Sequence, residues 1–559
     1  MRIAIAQIDP VVGAFEANVK KIQEAYKRAC SKQARLLLTP ELGICGYPPH
    51  DLIERPEMLE RNERALVHLM EATRGQKCAL AVGHVAKNIE EEGKAVQNVV
   101  TILEDGKRVF RQAKSLLPTY DVFDEARYFE PAHEIQAWNC DGKKIALAIC
   151  EDLWAHDPTF GRRIYGSDPI DRYRDLKVDF VFSCSASPYI WGKRARREEL
   201  HCEAAKTLKA PLVYVNQVGA NDEILFDGGS FASDAHGKFA GRLPFFKNSF
   251  GVLDLSDGKC VWESQSAVRE DEAPAEIEIL FRGLVLGIRD YFQRTGFKKA
   301  LLGLSGGIDS AVVATLAREA LGAENVEGVA MPSQYSSSHS LEDAEILAQN
   351  LGIKFDVRPI KFLFSTANRE IGESRAHQLS ALALENLQSR LRGLTLMTLS
   401  NHDNALVLTT GNKSEFAMGY STLYGDMCGA IAPIGDVFKT RVYELARYMN
   451  AKLGSPIPDR SITKAPSAEL RPNQKDQDTL PPYEFLDAIL EEYIEHNISM
   501  EELRAKYGKL EELTEVLNEV FRKLEINEFK RRQAPPVLKT SLKAFGIGRR
   551  YPIAKRWDI

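Results

Sequence analysis

The run Leu301-Leu302-Gly303-Leu304-Ser305-Gly306-Gly307-Ile308-Asp309-Ser310 constrains the fold more than any other part of the chain. Apolar residues lead straight into Ser-Gly-Gly-x-Asp-Ser, and Ala311-Val312-Val313-Ala314-Thr315-Leu316 follows with helical spacing. The order reads as strand, tight loop, helix. Glycines let the backbone turn and come close to a ligand. Ser305 and Ser310 add hydroxyls, and the first N–H groups of a helix point at an anion. The loop Gly303, Leu304, Ser305, Gly306, Gly307, Ile308, Asp309, Ser310 is therefore built to hold phosphate. It lacks the Gly-Lys-Ser/Thr ending of a Walker A loop. The plain alternative is a glycine turn between a strand and a helix.

A chain of 559 residues is too long for one core, so two or more domains are expected. The net charge of −5 gives no support to general polyanion binding. No apolar run approaches the roughly eighteen residues needed to span a membrane. Met1-Arg2-Ile3-Ala4-Ile5-Ala6-Gln7 reads as a buried strand without the apolar core of a signal peptide. Nine cysteines without a CxxC pair argue against a disulfide framework or a zinc site and fit a reducing cytoplasm.

The stretch from Ser266 to Glu278 is rich in Glu, Asp, Ala and Pro and reads as a linker. Before it, short apolar runs alternate with amphipathic helices: Arg35–Leu38, Ala79–Gly83, Val99–Leu103, Ile145–Ile149 and Phe180–Phe182. After it, strands over Ala300–Leu304, Val326–Met331 and Ala405–Thr409 open a second alternation. Both halves therefore predict α/β layers, the second around a mostly parallel sheet. Ala465–Pro482 is too irregular for a core element and reads as a long functional loop.

Three positions in the first half invite a joint reading. Cys150 ends an apolar strand, where a sharp elbow would project a nucleophile above the sheet. Glu41 ends another strand, and Lys114 follows Val109–Ala113. A carboxylate can take the thiol proton, and an ammonium can stabilise thiolate and oxyanion. Singly, each has an ordinary explanation as a core cysteine or a solvated charge. Spacing alone does not bring them together.

Their surroundings do resemble a known family. Pro40-Glu41-Leu42, Arg111-Gln112-Ala113-Lys114-Ser115-Leu116-Leu117-Pro118 and Ile149-Cys150-Glu151-Asp152-Leu153-Trp154 are similar to the three motifs of the nitrilase (carbon–nitrogen hydrolase) superfamily, whose triad is Glu, Lys and Cys. Gly43–Leu52, Tyr120–Phe129 and Ser185–Lys193 narrow the resemblance to the glutaminase part of glutamine-dependent NAD synthetases. The resemblance implies Glu41, Lys114 and Cys150 as catalytic groups and Tyr120, Ser187 and Lys193 as glutamine contacts. By the same resemblance Glu125 would be a second acid supporting Lys114. Ser185 stands where that family usually has Asn.

In the second half, Asp309 adjoins the phosphate loop and is a candidate Mg²⁺ ligand. Leu408-Thr409-Thr410-Gly411-Asn412-Lys413-Ser414-Glu415 ends a strand in a polar turn, so Thr410 and Glu415 should face the same crevice as Ser305. The ordinary explanation of Thr410 is a helix cap. The phosphate loop resembles that of the ATP pyrophosphatases, which split ATP into AMP and pyrophosphate. Thr409–Glu415, Gly419–Asp426, Ala432–Thr440, Lys464–Leu470, Glu385–Arg392 and Lys530–Pro536 resemble further NAD synthetase segments. That match implies Gly303–Ser310 and Thr410 on ATP, Asp309 and Glu415 on the metal, and Asn386, Glu415 and Lys530 on deamido-NAD. Arg392 and Lys464 would help with its anionic groups, and Lys464–Pro482 would close over bound substrates. For Lys530–Arg532 the ordinary explanation is a solvated basic helix end.

The resemblance thus implies a nitrilase-like α-β-β-α sandwich over residues 1–270, a linker over 271–278, and a Rossmann-like parallel-sheet domain of the adenine-nucleotide α-hydrolase kind over 279–559. The expected activity is ATP-dependent amidation of deamido-NAD with nitrogen from L-glutamine, using Mg²⁺ and ATP, in a cytoplasmic homo-oligomer with no nucleic-acid or membrane partner. Two alternatives remain open: another glutamine-dependent ATP-pyrophosphatase amidotransferase with a different acid, and a non-enzymatic interaction protein on a decayed scaffold.

Overall fold

A computed structural model describes the chain except residues 91, 156, 158–162, 257, 264–271, 373–378, 473, 509–510 and 557–559. It forms two compact units, Met1–Glu276 and Ile277–Ile559. Residues 266–271 of the expected linker lie outside the described residues. Its last three residues belong to the helix Glu276–Thr295.

The first unit is built on two large sheets, with a small two-stranded one pairing Val218–Asn221 and Ile224–Asp227. One has seven strands in the spatial order Lys259–Trp262, Ser249–Ser256, Arg2–Gln7, Leu36–Leu38, Ala79–Lys87, Val96–Glu104, Lys107–Ala113. The other has six: Phe239–Arg242, Phe231–Ser233, Leu212–Asn216, Phe180–Ser185, Lys143–Ile149, Ala137–Cys140. Alternate residues on a strand point to opposite faces. Ile3, Ile5, Leu36 and Leu38 therefore pack against Ile145, Leu147, Ile149 and Phe182 in one core between the sheets. The opposite face of the six-stranded sheet carries Ala146, Ala148 and Val181 and is covered by Pro169–Leu176 and Lys193–Leu208. Phe15–Ser31 and Pro56–Ala72 cover the seven-stranded sheet. The result is an α-β-β-α sandwich.

The second unit holds a four-stranded, all-parallel sheet in the order Lys354–Val357, Val326–Ala330, Lys299–Gly303, Ala405–Val407. The chain starts in Lys299–Gly303, winds outward on one side, then returns to Ala405–Val407 on the other. The order reverses between these two strands, and ligands bind parallel sheets at the strand C-ends of such a switch point. Ser305–Ser310 and Thr409–Glu415 both leave the sheet there. Helices Ile308–Leu321 and Ala381–Asp403 flank it. A further cluster around Phe416, Leu486, Leu517 and Phe521 joins the helices that follow. Among the described residues, no helix is long and apolar enough to cross a membrane.

Candidate active sites

Cys150 sits at the C-end of the strand Lys143–Ile149, where a short 3-10 turn, Cys150–Leu153, begins. Its φ of 45° places a non-glycine residue in the left-handed region. Strain of that kind persists only where the surroundings enforce it. Asp152 enforces it here: Oδ2 accepts from Ile149 N, while Oδ1 accepts from Ser115 N and Leu116 N, all at 2.9 Å. One carboxylate thereby ties the elbow to the residues that follow Lys114. Burial pushes that carboxyl up to about 7.

Lys114 is buried, and its Nζ donates to Glu41 Oε1 and to Glu125 Oε1, each at 2.7 Å. Asn98 Nδ2 and Ala186 N also donate to Glu41, at 2.6 and 3.0 Å. Tyr47 donates to Glu125 Oε1 at 2.8 Å. Burial opposes charge on Lys114, but Glu125 and Glu41 outweigh it and hold the ammonium protonated well beyond its usual range. Burial and the Glu41 charge push Glu125 up to about 7, against the pull of Lys114. The Cys150 thiol is raised by burial and by the Glu41 carboxylate, with Lys114 and Lys193 acting the other way. The shift favours the protonated sulfur, so a base must take its proton as it attacks.

The structure brings the predicted triad together with Glu125. It also supplies two groups not singled out by the sequence, Asn98 and Glu151. Glu151 is buried beside the nucleophile and accepts from Tyr120 at 2.9 Å and Tyr165 at 2.6 Å. Burial raises its carboxyl. Lys193 lies over the Trp154 ring at 5.0 Å and donates to Pro188 O at 3.4 Å. Burial lowers its ammonium, as does Arg197. Ser187 is fixed through its backbone by Asn216, at 2.8 and 3.2 Å. Ser187 and Lys193 follow the strand Phe180–Ser185, the parallel neighbour of the strand that ends at Cys150.

In the second unit, Gly306 turns with φ 75°. A methyl there would stand 2.8 Å from Ser340 Cα, so only glycine lets the loop lie on the start of helix Ser338–Leu351. Ser305 Oγ meets Ser310 Oγ at 3.2 Å and accepts from Gly307 N, while Ser310 Oγ donates to Gly307 O at 3.0 Å. The loop borders a cavity of about 580 Å³. Gly303, Leu304, Ser305, Gly307, Ile308, Asp309 and Ser310 all line it. Thr410 and Glu415 line it from the second loop; Asn386, Arg392, Lys464 and Lys530 line it from elsewhere. Gly306 alone of the predicted loop is outside the lining.

Asn412, not Thr410, caps the helix Lys413–Met418, in a reciprocal pairing with Glu415. Asn412 Nδ2 also donates to Asp309 Oδ1 at 3.0 Å. Lys439, buried at the first residue of helix Lys439–Leu453, pairs with Asp309 and lies 3.5 Å from Glu415. A lysine at a helix N-terminus opposes the helix dipole. That misplacement is the signal by which a sequence reader could have found it. Burial and the Asp309 charge push Glu415 up to about 8, with Asp476 adding to the repulsion. Lys439 thus stands as one ammonium among the carboxyl groups of Asp309, Glu415 and Asp476. Two carboxylates facing a phosphate loop match what Mg²⁺ takes from a protein, since substrate phosphates and water complete its shell.

Asn386 Oδ1 accepts from Thr422 Oγ1 at 2.8 Å, and Lys530 Nζ donates to Gly419 O and Ser421 O at 2.7 and 2.8 Å. Burial lowers Lys530 and pushes Arg392 down to about 10. Arg531 is buried against Glu528, so the basic run is not a plain solvated end. Lys464 donates to Ser340 Oγ at 2.6 Å and to Glu469 at 2.8 Å.

Residues 2–160 match the carbon–nitrogen hydrolase family and residues 280–534 the NAD synthase family. A glutamine-dependent NAD(+) synthetase of Synechocystis is 44% identical, with 99% of this chain and 98% of that protein covered. The Thermotoga maritima protein of the same description is 38% identical over 100% and 99%. The solved glutamine-dependent NAD+ synthetase of Acinetobacter baumannii, in complex with ADP, superposes with a TM-score of 0.77 at 36% identity, covering 99% of this chain and 98% of that one. With its hydrolase-type and synthase-type halves matched in order and over full length, the chain belongs to the family of glutamine-dependent NAD(+) synthetases, which are carbon–nitrogen ligases.

Proposed function

We propose that the protein makes NAD from deamido-NAD with nitrogen from L-glutamine, splitting ATP into AMP and pyrophosphate. The observation that carries this reading is a buried Cys150 acted on by Glu41 and Lys114 in a chain whose phosphate loop, with Asp309 in it, lines one cavity with Glu415. Residues 1–270 and 279–559 carry the two functions, joined by 271–278, whose last three residues open the helix Glu276–Thr295.

In the first domain, Glu41 takes the thiol proton as sulfur attacks the carboxamide carbon. Lys114, fixed by two carboxylates, stabilises the negative charge that develops. Collapse of the tetrahedral species expels ammonia, which leaves with the proton held by Glu41. Water, deprotonated by the same carboxylate, then frees glutamate from the thioester. Glu151, oriented by Tyr120 and Tyr165, offers a carboxylate to the substrate's α-ammonium, and Lys193 faces its α-carboxylate.

In the second domain, the nicotinate carboxylate of deamido-NAD attacks the α-phosphorus of ATP, and pyrophosphate leaves along Ser305–Ser310. Lys439 and the helix N-terminus at Ile308 offset the leaving charge. Asp309 and Glu415 would hold Mg²⁺, which supplies charge neutralisation at the phosphates. Ammonia attacks the acyl carbon and AMP departs. Asn386 and Lys530 hold the dinucleotide, and Thr410 the nucleotide. The test is product analysis with glutamine, ATP, Mg²⁺ and either deamido-NAD or other carboxylic acids. NAD with equimolar AMP, pyrophosphate and glutamate supports the reading; amidation of a different acid in preference replaces it.

A further inference from the structure

Within the segment 464–472, Glu469 makes the most hydrogen bonds to the wall opposite, beside the one from Lys464 to Ser340 Oγ. Its carboxylate accepts from Ser337 N at 3.2 Å, Ser337 Oγ at 3.1 Å, Ser340 Oγ at 2.7 Å and Lys464 Nζ at 2.8 Å. Its backbone is left-handed, with φ 48°, and its N–H donates to Ser467 Oγ at 3.1 Å. A glutamate in that region is strained, and such strain concentrates at ligand clamps. Ser340 is also the residue against which Gly306 of the phosphate loop packs, and Ser461 Oγ donates to Gly306 O at 3.0 Å. The segment is further held by Gln388, which donates to Leu470 O at 2.9 Å. Lys464 and Glu469 both line the cavity.

We propose that Glu469 is a positioning residue: a clasp that fastens the 464–472 segment, and with it the Lys464 ammonium, to the phosphate loop through Ser337 and Ser340. This rests on the reading that the cavity takes ATP. Charge-assisted hydrogen bonds are the strong ones, and a cation held in place before binding saves the ordering that a free lysine loses on contact with phosphate. The clasp acts on ATP capture more than on the chemical step.

The experiment uses the full-length enzyme with ammonium as nitrogen source. KM for ATP and kcat are measured for wild type, Glu469→Ala, Glu469→Gln and Ser340→Ala, with hydrogen exchange over 464–472 in the absence of ligand. Wild-type release of AMP and pyrophosphate tests the cavity reading by itself. Given that release, Glu469→Ala should raise KM for ATP about tenfold with kcat kept within about twofold. It should also speed exchange in the segment. Glu469→Gln and Ser340→Ala should fall between it and wild type. An unchanged KM and unchanged exchange in Glu469→Ala overturn the clasp. So does an equal fall of kcat in all three variants without a KM shift, which marks a merely structural contact.

Discussion

Lys114 donates to Glu125 at the same 2.7 Å at which it donates to Glu41. Two acids thus share one ammonium beside the nucleophile, and they are not equivalent. Glu41 takes further hydrogen bonds from Asn98 and Ala186, whereas Glu125 takes one from Tyr47 and is pushed up to about 7.

That difference gives a pH prediction. Glu125 binds its proton more tightly folded than unfolded, so it adds stability below its ordinary value, 4.5, and loses it as pH rises through about 7. Glu125→Gln removes this dependence. Thermal midpoints of wild type and variant, taken from pH 5 to 8, should show wild type losing ground to the variant as pH rises. The glutamine-dependent rate should lose an inflection near 7 in the variant. Parallel curves would refute it.

Cys150→Ala should lower glutamine-dependent synthesis at least about a thousandfold, since it removes the thiol set beside Glu41 and Lys114. Synthesis from added ammonium should stay near wild type. Both nitrogen sources are assayed on the same preparation. Equal loss with both would overturn the division of labour between the halves.

Asp309→Asn should lower synthesis from either source about a hundredfold. Losing one carboxylate of a phosphate-facing cation site costs on the order of 3 kcal/mol of charge stabilisation, about a hundredfold. Removing Mg²⁺ with a chelator should do the same and be reversed by adding it back. The Cys150 alkylation rate, measured alongside, should not change. Near-normal ammonium-dependent turnover in folded Asp309→Asn would sink the assignment.

Much of this was legible from residue order. The strand before Ser305 and the helix after it follow from Leu301–Ser310, and the elbow at Cys150 from an apolar run meeting a polar turn. Glu41 and Lys114, 73 positions apart, meet only because parallel and antiparallel strands set their ends side by side. No local pattern encodes that, and the family resemblance supplied it. Asn98 and Glu151 stand out from no local pattern either, because a lone charged or amide residue is usually solvated. Their burial appears only once the sheets are assembled. The cap at Asn412 is not decided by residue type alone, because Thr410 is also a capping type, and the backbone chooses between them.

The last prediction concerns Gly83, on the strand Ala79–Lys87. Its φ is unremarkable, so conformational freedom is not why glycine stands there. A methyl at this position would lie 2.6 Å from Leu42 N and 2.9 Å from Glu41 Cα, with Pro40 O closer still. All three are backbone atoms and cannot swing away. Gly83→Ala must therefore push the Pro40–Leu42 backbone outward, at about 1–3 kcal/mol of stability. That shift moves Glu41 relative to Lys114 and Cys150. Misplacing a reacting group by about 1 Å can cost about a hundredfold. The variant should lose glutamine-dependent synthesis by roughly that factor while ammonium-dependent synthesis persists, and its thiol should alkylate with an altered pH profile. A variant with full glutaminase activity and an unshifted thiol profile would show that the Glu41 strand has room to spare, and the steric argument would fail.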